Sequence, residues 1–263
     1  MKLSISNIGW SSENDEKVYS LMKNIGFSGL EIAPTRIFPE NPYDKLKEAK
    51  EWKKELFEKY GFDIPSMQSI WYGRQERIFG SKEERQKLID YTKKAIDFAV
   101  AIECKNLVFG CPRNRSLQEG ENEEIAFDFF KELGDYAYNV GIVIGMEANP
   151  TIYNTNYINN TKSALDLIKK VDSKGFLLNF DLGTVIYNSE DIAELVNNVK
   201  YINHAHISEP SLKPIEKRDI HKKLRNILEK EDYSKYISIE MGKQDDLVQI
   251  ENIMRYVYQI VNF

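Results

Sequence analysis

The chain is short of several residue types, and each shortage narrows its function. It holds two cysteines in 263 residues. Cys104 and Cys111 flank one apolar run, residues 107–109, and an extended strand would hold them beyond disulfide reach. Both are read as reduced thiols in a cytoplasmic protein. Cys104 reads as buried filler and Cys111 as a residue close to a pocket. Positive charge is not in excess. A net charge of −5 counts against a nucleic-acid binder held by phosphate contacts. No apolar run approaches the length that spans a membrane. The opening MKLSIS (1–6) has too short an apolar segment for a signal peptide. No glycine-rich dinucleotide fingerprint follows any apolar run.

What is present is regular alternation. The hydrophobic and charged fractions, 42% and 29%, are ordinary for a soluble globular protein. Eight short apolar runs read as strands: 2–6, 27–33, 62–68, 106–110, 142–146, 176–180, and two more beginning at Ile202 and Ile237. Helical patterns lie between them. Val18, Leu21, Met22 and Ile25 share one face before Gly26, with Ser12 and Asp15 at capping-box spacing. Leu46, Ala49, Trp52, Leu56 and Tyr60 form another face before Gly61. Ser81 and Glu84 open a helix toward residue 103. Further helices are expected over 123–140, from a Thr161 cap, over 191–199, over 219–229 and over 245–261. Residues 35–43 and 112–122 read as loops. Strict strand–helix alternation predicts a parallel sheet. Eight units at this length predict a single (β/α)8 TIM barrel domain over residues 1–263. A doubly wound open sheet is the competing arrangement.

Four apolar runs in succession break off at a metal-type ligand: Glu147, Asp181, His206 and Glu240. Residues at the C-terminal ends of barrel strands point into the mouth where such enzymes work. Two glutamates, one aspartate and one histidine would offer three oxygens and one nitrogen. That hard donor set suits Mn²⁺, with Mg²⁺ or Co²⁺ as alternatives. A structural zinc site would favour cysteine, and neither cysteine falls at a matching position. Taken singly, each residue has a plainer role. Asp181 could be a helix N-cap, Glu240 could open a turn, and His206 could be a satisfied core histidine. Their recurrence at one point of consecutive units favours one shared site.

The segments GMEANP (145–150), NFDLG (179–183), HAHISE (204–209) and SIEM (238–241) carry a family resemblance. They resemble the signature strand ends of the xylose isomerase-like TIM barrel superfamily, and more narrowly its sugar phosphate isomerase/epimerase group. The resemblance covers essentially the whole chain. It implies that Glu147, Asp181, His206 and Glu240 bind one divalent metal, commonly Mn²⁺, with His204 as a supporting or packing residue. It implies further that Glu147 and Glu240 transfer a proton next to a metal-polarised carbonyl through an enediolate. Proton return to the opposite face gives epimerisation, and return to the neighbouring carbon gives isomerisation. The chain departs from the better-known epimerases at two points. DLGT (181–184) stands where they commonly carry D-x-x-H, and Tyr153 and its neighbours stand where they carry a second glutamate. Substrate placement is therefore expected to differ.

Other residues are candidates for holding substrate. Arg113 and Arg115 in PRNR (112–115) could pair with a phosphate or carboxylate, or be a solvated surface pair. Glu31 and Gln68 could bond sugar hydroxyls. Trp71 could stack on a sugar ring or pack within its loop. Glu209 could orient a ligand or substrate, and residues 218–221 could add a polar contact. The favoured function is a sugar isomerase or epimerase. A metal-dependent lyase or dehydratase of a keto-polyol uses the same abstraction. An apurinic endonuclease of the same superfamily would need several histidines for a three-metal cluster, and only His204, His206 and His221 exist. The expected partner is a small sugar, with no nucleic acid and no membrane, and self-association is left open.

Overall fold

The structure, a computed structural model, describes residues 1–263. Its eight parallel strands are β1 (Lys2–Ser6), β2 (Gly29–Glu31), β3 (Ser66–Met67), β4 (Asn106–Phe109), β5 (Val143–Met146), β6 (Phe176–Asp181), β7 (Ile202–Ser208) and β8 (Tyr236–Glu240). They lie in the order β2-β1-β8-β7-β6-β5-β4-β3. Single bridges Gly29↔Asp63 and Ile32↔Met67 join the two end strands. The result is a nearly closed (β/α)8 barrel. Wrapped around it are α1 (Asp15–Ile25), α2 (Pro34–Ile37), α3 (Leu46–Tyr60), α4 (Lys82–Ala101), α5 (Ile125–Asn139), α6 (Thr161–Val171), α7 (Leu182–Asn188), α8 (Asp219–Lys230) and α9 (Leu247–Asn262).

Local chemistry accounts for most boundaries. Gly26 and Gly61 end α1 and α3 in the left-handed region, at φ 105 and 78, which a residue without Cβ adopts at no steric cost. Ser81 and Glu84 form the expected reciprocal cap of α4, at 3.2 and 2.8 Å. Four expectations are corrected. Ser12 belongs to a 3-10 turn, Ser12–Asn14, and Asp15 instead accepts from Trp10 Nε1 and pairs with Arg36. Asn160, not Thr161, caps α6 by accepting from Ser163 N at 2.8 Å. No α-helix spans 191–199: the helix after β6 is α7, which starts directly at Leu182. It ends at Ser189 (φ 55), and the following chain makes only the 3-10 turns Ile192–Leu195 and Val199–Tyr201, separated by Asn197 (φ 67). Finally, β2 and β3 are shorter than their apolar runs, whereas β7 continues two residues past His206.

Alternation along each strand sends successive side chains to opposite faces. In β1, Leu3 and Ile5 join the apolar core while Ser4 bonds Ser238 on the adjacent strand β8 and Ser6 accepts from Gln68 just past β3. The outer shell is aromatic and aliphatic, with Phe130 stacked on Phe176 at 4.7 Å and edge-on to Phe109 at 4.9 Å. The interior is polar: Asn106 bonds Ser66 and Asn179, at 3.0 and 3.2 Å, and His204 Nε2 lies 2.8 Å from Ser238 Oγ. This polar column leads up to the C-terminal mouth.

Candidate active site

Strand register assembles the four candidate ligands. Asp181 is paired with His206 across β6 and β7, and Ser208 with Glu240 across β7 and β8. Met146 is paired with Leu178, which puts Glu147 level with Asn179. His206 therefore sits a layer below Glu240, fully buried, with the three carboxylates above and beside it. Its Nδ1 lies 3.1 Å from Glu147 Oε1 and 3.2 Å from Glu240 Oε2. One donor atom from each of Glu147, Asp181, His206 and Glu240 lies within 4.8 Å of all the others.

Three of the four candidate ligands are held from behind. Glu31, completely buried beneath the cluster, lies 3.0 Å from His206 Nε2 and 3.1 Å from His204 Nε2. The Glu31 acceptor keeps a proton on Nε2, so that Nδ1, which faces the carboxylates, is the nitrogen that would be free for a cation once its own proton is displaced. Asn179 Nδ2 donates to Glu147 Oε1 at 2.9 Å and Asn149 Nδ2 to Glu147 Oε2 at 3.1 Å. Asp181 Oδ2 accepts from Thr184 N and Oγ1, at 2.7 and 2.8 Å, and Asp181 Oδ1 accepts from Ser208 Oγ. Asp181 is thus both the N-cap of α7 and a member of the cluster. Gly110 makes room for it: a Cβ there would lie 2.9 Å from Glu147 Oε2.

The buried carboxylates need a compensating proton or cation. Burial, and then the Glu147 carboxylate, push Asp181 up. Burial pushes Glu240 up to about 7; the imidazole of His206 opposes that shift, and the Glu147 and Asp181 charges add to it. Burial alone would lower His206, but the charges of Glu31 and Glu240 carry it well above its ordinary value. Glu31 shows the converse: burial would raise it, and the two histidines hold it far below the usual carboxylate range. Clustered carboxylates repel one another unless a proton or a metal compensates. Three oxygens and one imidazole nitrogen in a compact, back-supported set fit a hard divalent cation.

The cluster opens into a cavity of about 250 Å³ that Glu147, Asp181 and Glu240 line together with Gln68, Trp71, Asn149, Tyr153, Ser208 and Glu209. The other sequence candidates fall differently. Gln68 reaches the cavity wall, but its amide donates to Ser6 Oγ at 2.7 Å and to Glu31 at 3.3 Å. Trp71 presents an edge; its Nε1 donates to Thr92 at 2.8 Å and its ring packs on Phe109 at 4.7 Å. Glu209 is buried and held by Arg218 at 2.7 and 2.8 Å. Glu31 does not reach the cavity. Arg113 is exposed on the surface and lines no part of it. The expectation that Arg115 faces the mouth is corrected. Its side chain is completely buried and ties down the chain after β5, donating to Glu147 O at 2.8 Å, Asn149 Oδ1 at 3.0 Å and Ile158 O at 3.3 Å. Both thiols are free; Cys111 reaches the cavity wall, and burial pushes it up to about 12, which leaves it without thiolate character.

Sequence reasoning missed Asn149, Asn179, Thr184 and Ser208, which orient the cluster. Asn179 and Ser208 carried a usable signal: each lies two residues from a ligand on its own strand, hence on the same face.

The profile described as Xylose isomerase-like TIM barrel matches residues 19–258. A search of curated proteins finds none that matches. Among solved structures, 3-keto-D-glucoside 4-epimerase YcjR from E. coli is similar, with a TM-score of 0.77 and 18% identity over 98% of this chain and 99% of that one. D-psicose 3-epimerase from Clostridium cellulolyticum H10, solved with D-tagatose, has a TM-score of 0.78 and 14% identity over 99% and 98% of the two chains. A family 2 AP endonuclease from Brucella melitensis has a TM-score of 0.72 and 18% identity over 94% and 95%. The profile match over most of the chain, on a barrel that superposes along its length with these proteins, means that the chain belongs to the xylose isomerase-like TIM barrel family.

Proposed function

We propose that the chain is a divalent-metal-dependent isomerase or epimerase of a small, uncharged sugar or sugar derivative. The observation that carries this reading is the Glu147–Asp181–His206–Glu240 cluster opening into a sugar-sized cavity. Those four residues would hold the cation, with Mn²⁺ the first candidate and Mg²⁺ or Co²⁺ the alternatives. A divalent cation bound there supplies Lewis acidity toward a substrate carbonyl. Glu147 and Glu240 come from strands separated by β6 and β7 and flank His206 Nδ1 at 3.1 and 3.2 Å. That arrangement suits one carboxylate removing a carbon-bound proton beside a carbonyl and the other returning one. Return to the same carbon from the opposite face inverts it; return to the neighbouring carbon exchanges aldose and ketose. Loss of a β-hydroxyl after the same abstraction would make the enzyme a dehydratase.

Charge favours an uncharged substrate. Glu147, Asp181 and Glu240 line the cavity, Glu209 beside them is already paired with Arg218, and no lysine or arginine lines it. Sugar hydroxyls donate to carboxylates, whereas a phosphate would be repelled by them. The same repulsion, with only three histidines in the chain, disfavours a phosphodiester substrate and hence endonuclease action. The likeness to epimerases of neutral sugars supports this reading. The test is incubation of the metal-loaded protein with neutral ketoses, aldoses and their phosphates in deuterated water. Deuterium should enter carbon in a neutral sugar, and chelation should abolish it. Exchange that persists without any divalent metal would overturn the mechanism, and a β-elimination product would redirect it to the dehydratase.

A further inference from the structure

The cavity is rich in acceptors and poor in buried free donors; Tyr72, which also lines it, is 71% exposed to solvent. Gln68 Nε2 is committed to Ser6 and Glu31, Trp71 Nε1 to Thr92, Asn114 Nδ2 to the carbonyls of Arg74 and Glu76, Asn149 Nδ2 to Glu147 and Ala148, and Ser208 Oγ to Asp181. Each of these side chains already serves the protein.

Tyr153 differs. It ends the 3-10 turn Thr151–Tyr153 and lines the cavity. Its phenol oxygen accepts the N–H of Ser211 at 3.0 Å, and its own O–H has no protein acceptor. Burial first, and then the charges of Asp181 and Glu240, raise this phenol above its ordinary range, so it stays protonated. The donor to it is held by an unusual backbone. Ser211 and Leu212 both lie in the left-handed region, at φ 60 and 53, a conformation unfavourable for residues bearing Cβ. Leu212 also lines the cavity, and its carbonyl accepts from Gly242 N at 2.7 Å. The turn after β7 therefore aims an N–H at the phenol oxygen. An oxygen that accepts one hydrogen bond is polarised to donate another more strongly.

We propose that the Tyr153 O–H donates to the substrate oxygen that gains negative charge during proton transfer, making Tyr153 a catalytic residue of this chain. The proposal rests on the proton-transfer reading of the site. When one of Glu147 and Glu240 takes the carbon-bound proton, the C–H electron pair moves into the new C=C bond and the carbonyl pair moves onto oxygen. Tyr153 stabilises that oxygen by hydrogen bonding and keeps its own proton. The proton returns from a glutamate in its carboxylic acid form, either the one that took it or its partner if that entered the step protonated, and the electron flow reverses.

The test uses the full chain loaded with Mn²⁺, with D-tagatose and D-fructose in deuterated water. Tyr153→Phe keeps the ring and removes the donor. Loss of one such donor commonly slows an enzyme about 10²–10³-fold, so deuterium incorporation should fall by roughly 100-fold, mainly in kcat. D-tagatose affinity by calorimetry and the thermal midpoint should change little. A second variant carries a fluorotyrosine at position 153, a stronger donor and a weaker acceptor. It should exchange at least as fast as wild type, whereas a phenol that merely latches Ser211 would lose affinity and stability. Exchange by Tyr153→Phe at the wild-type rate overturns the proposal and leaves the proposed function standing. If the wild type exchanges neither sugar, the variant is compared on whichever neutral ketose or aldose the wild type does exchange; if it exchanges none, the proton-transfer reading falls and the role of Tyr153 falls with it.

Discussion

The two faces of one set of strands are built to opposite rules. Facing the helices, Phe109, Phe176, Ile207 and Ile239 are buried among other apolar side chains. Facing the barrel axis, Ser4, Ser238, Asn106, Asn179, His204 and Glu31 are as deeply buried, yet nearly all are polar. Barrel interiors of this class are ordinarily filled with branched aliphatic side chains. The difference separates two jobs. Burial of the outer face drives folding. The inner face contributes little net stability, because buried polar networks at best offset their own desolvation. It positions charged atoms instead, and three of the carboxylates are tied to polar partners: Glu31 to both histidines, Glu147 to Asn179 and Asn149, Asp181 to Ser208 and Thr184.

That division is open to direct challenge. The largest effect should come from Glu240→Gln. If the inner face serves chemistry, deuterium exchange falls by about 10²–10⁴-fold. The metal-free thermal midpoint holds or rises, because one member of a repelling cluster has become neutral. A folding defect with activity retained would reverse the assignment. Next comes Phe130→Ala in the shell, which removes a ring stacked on Phe176 at 4.7 Å. It should cost about 3–5 kcal/mol in a denaturant titration, with exchange unimpaired in the protein that stays folded. Smaller again is the effect of the cation: Mn²⁺ at a hundredfold above its Kd should stabilise wild type by about 2.7 kcal/mol. Asp181→Ala should lose that gain. An equal gain in the variant would show that the ion binds elsewhere.

The smallest effect probes the shell's one buried histidine. His221, on α8, is pulled down to about 4, chiefly by burial, and its Nε2 is buried without a partner. The folded state resists the proton, whereas the unfolded chain takes it up near the ordinary value of about 6.5. This contribution is complete above that pH and is lost as pH falls toward 4. At pH 5 the loss should be about 2 kcal/mol, read as the difference in acid sensitivity between wild type and His221→Gln. Parallel pH curves would refute it.

Much of this was legible in the chain. Alternating strand and helix patterns announced the barrel, and Glu147, Asp181, His206 and Glu240 stood out because each follows an apolar run in consecutive units. Short-range rules failed where two of them competed at one residue. Asp181 read as either cap or ligand; it caps α7 with one carboxylate oxygen and sits in the four-residue cluster, so the one role does not exclude the other. Its helix begins at once and stops at Ser189, and the left-handed Asn197 breaks the segment where a helix was expected at 191–199. Arg115 misled for another reason. A guanidinium in a polar loop looks solvated until three acceptors, one of them 43 positions away, enclose it.

By itself the sequence determined the fold class and the four residues at its mouth, because hydrophobic period and strand-end placement are local properties that one chain displays. The tertiary structure alone decided which atoms meet. Register between strands brings Asp181 level with His206. Glu31, from the other side of the barrel, selects the face of His206 that is offered to the cluster. The backbone turn at Ser211 reaches a phenol 58 residues earlier. Such meetings depend on distances between segments far apart in the chain, and no local pattern encodes them.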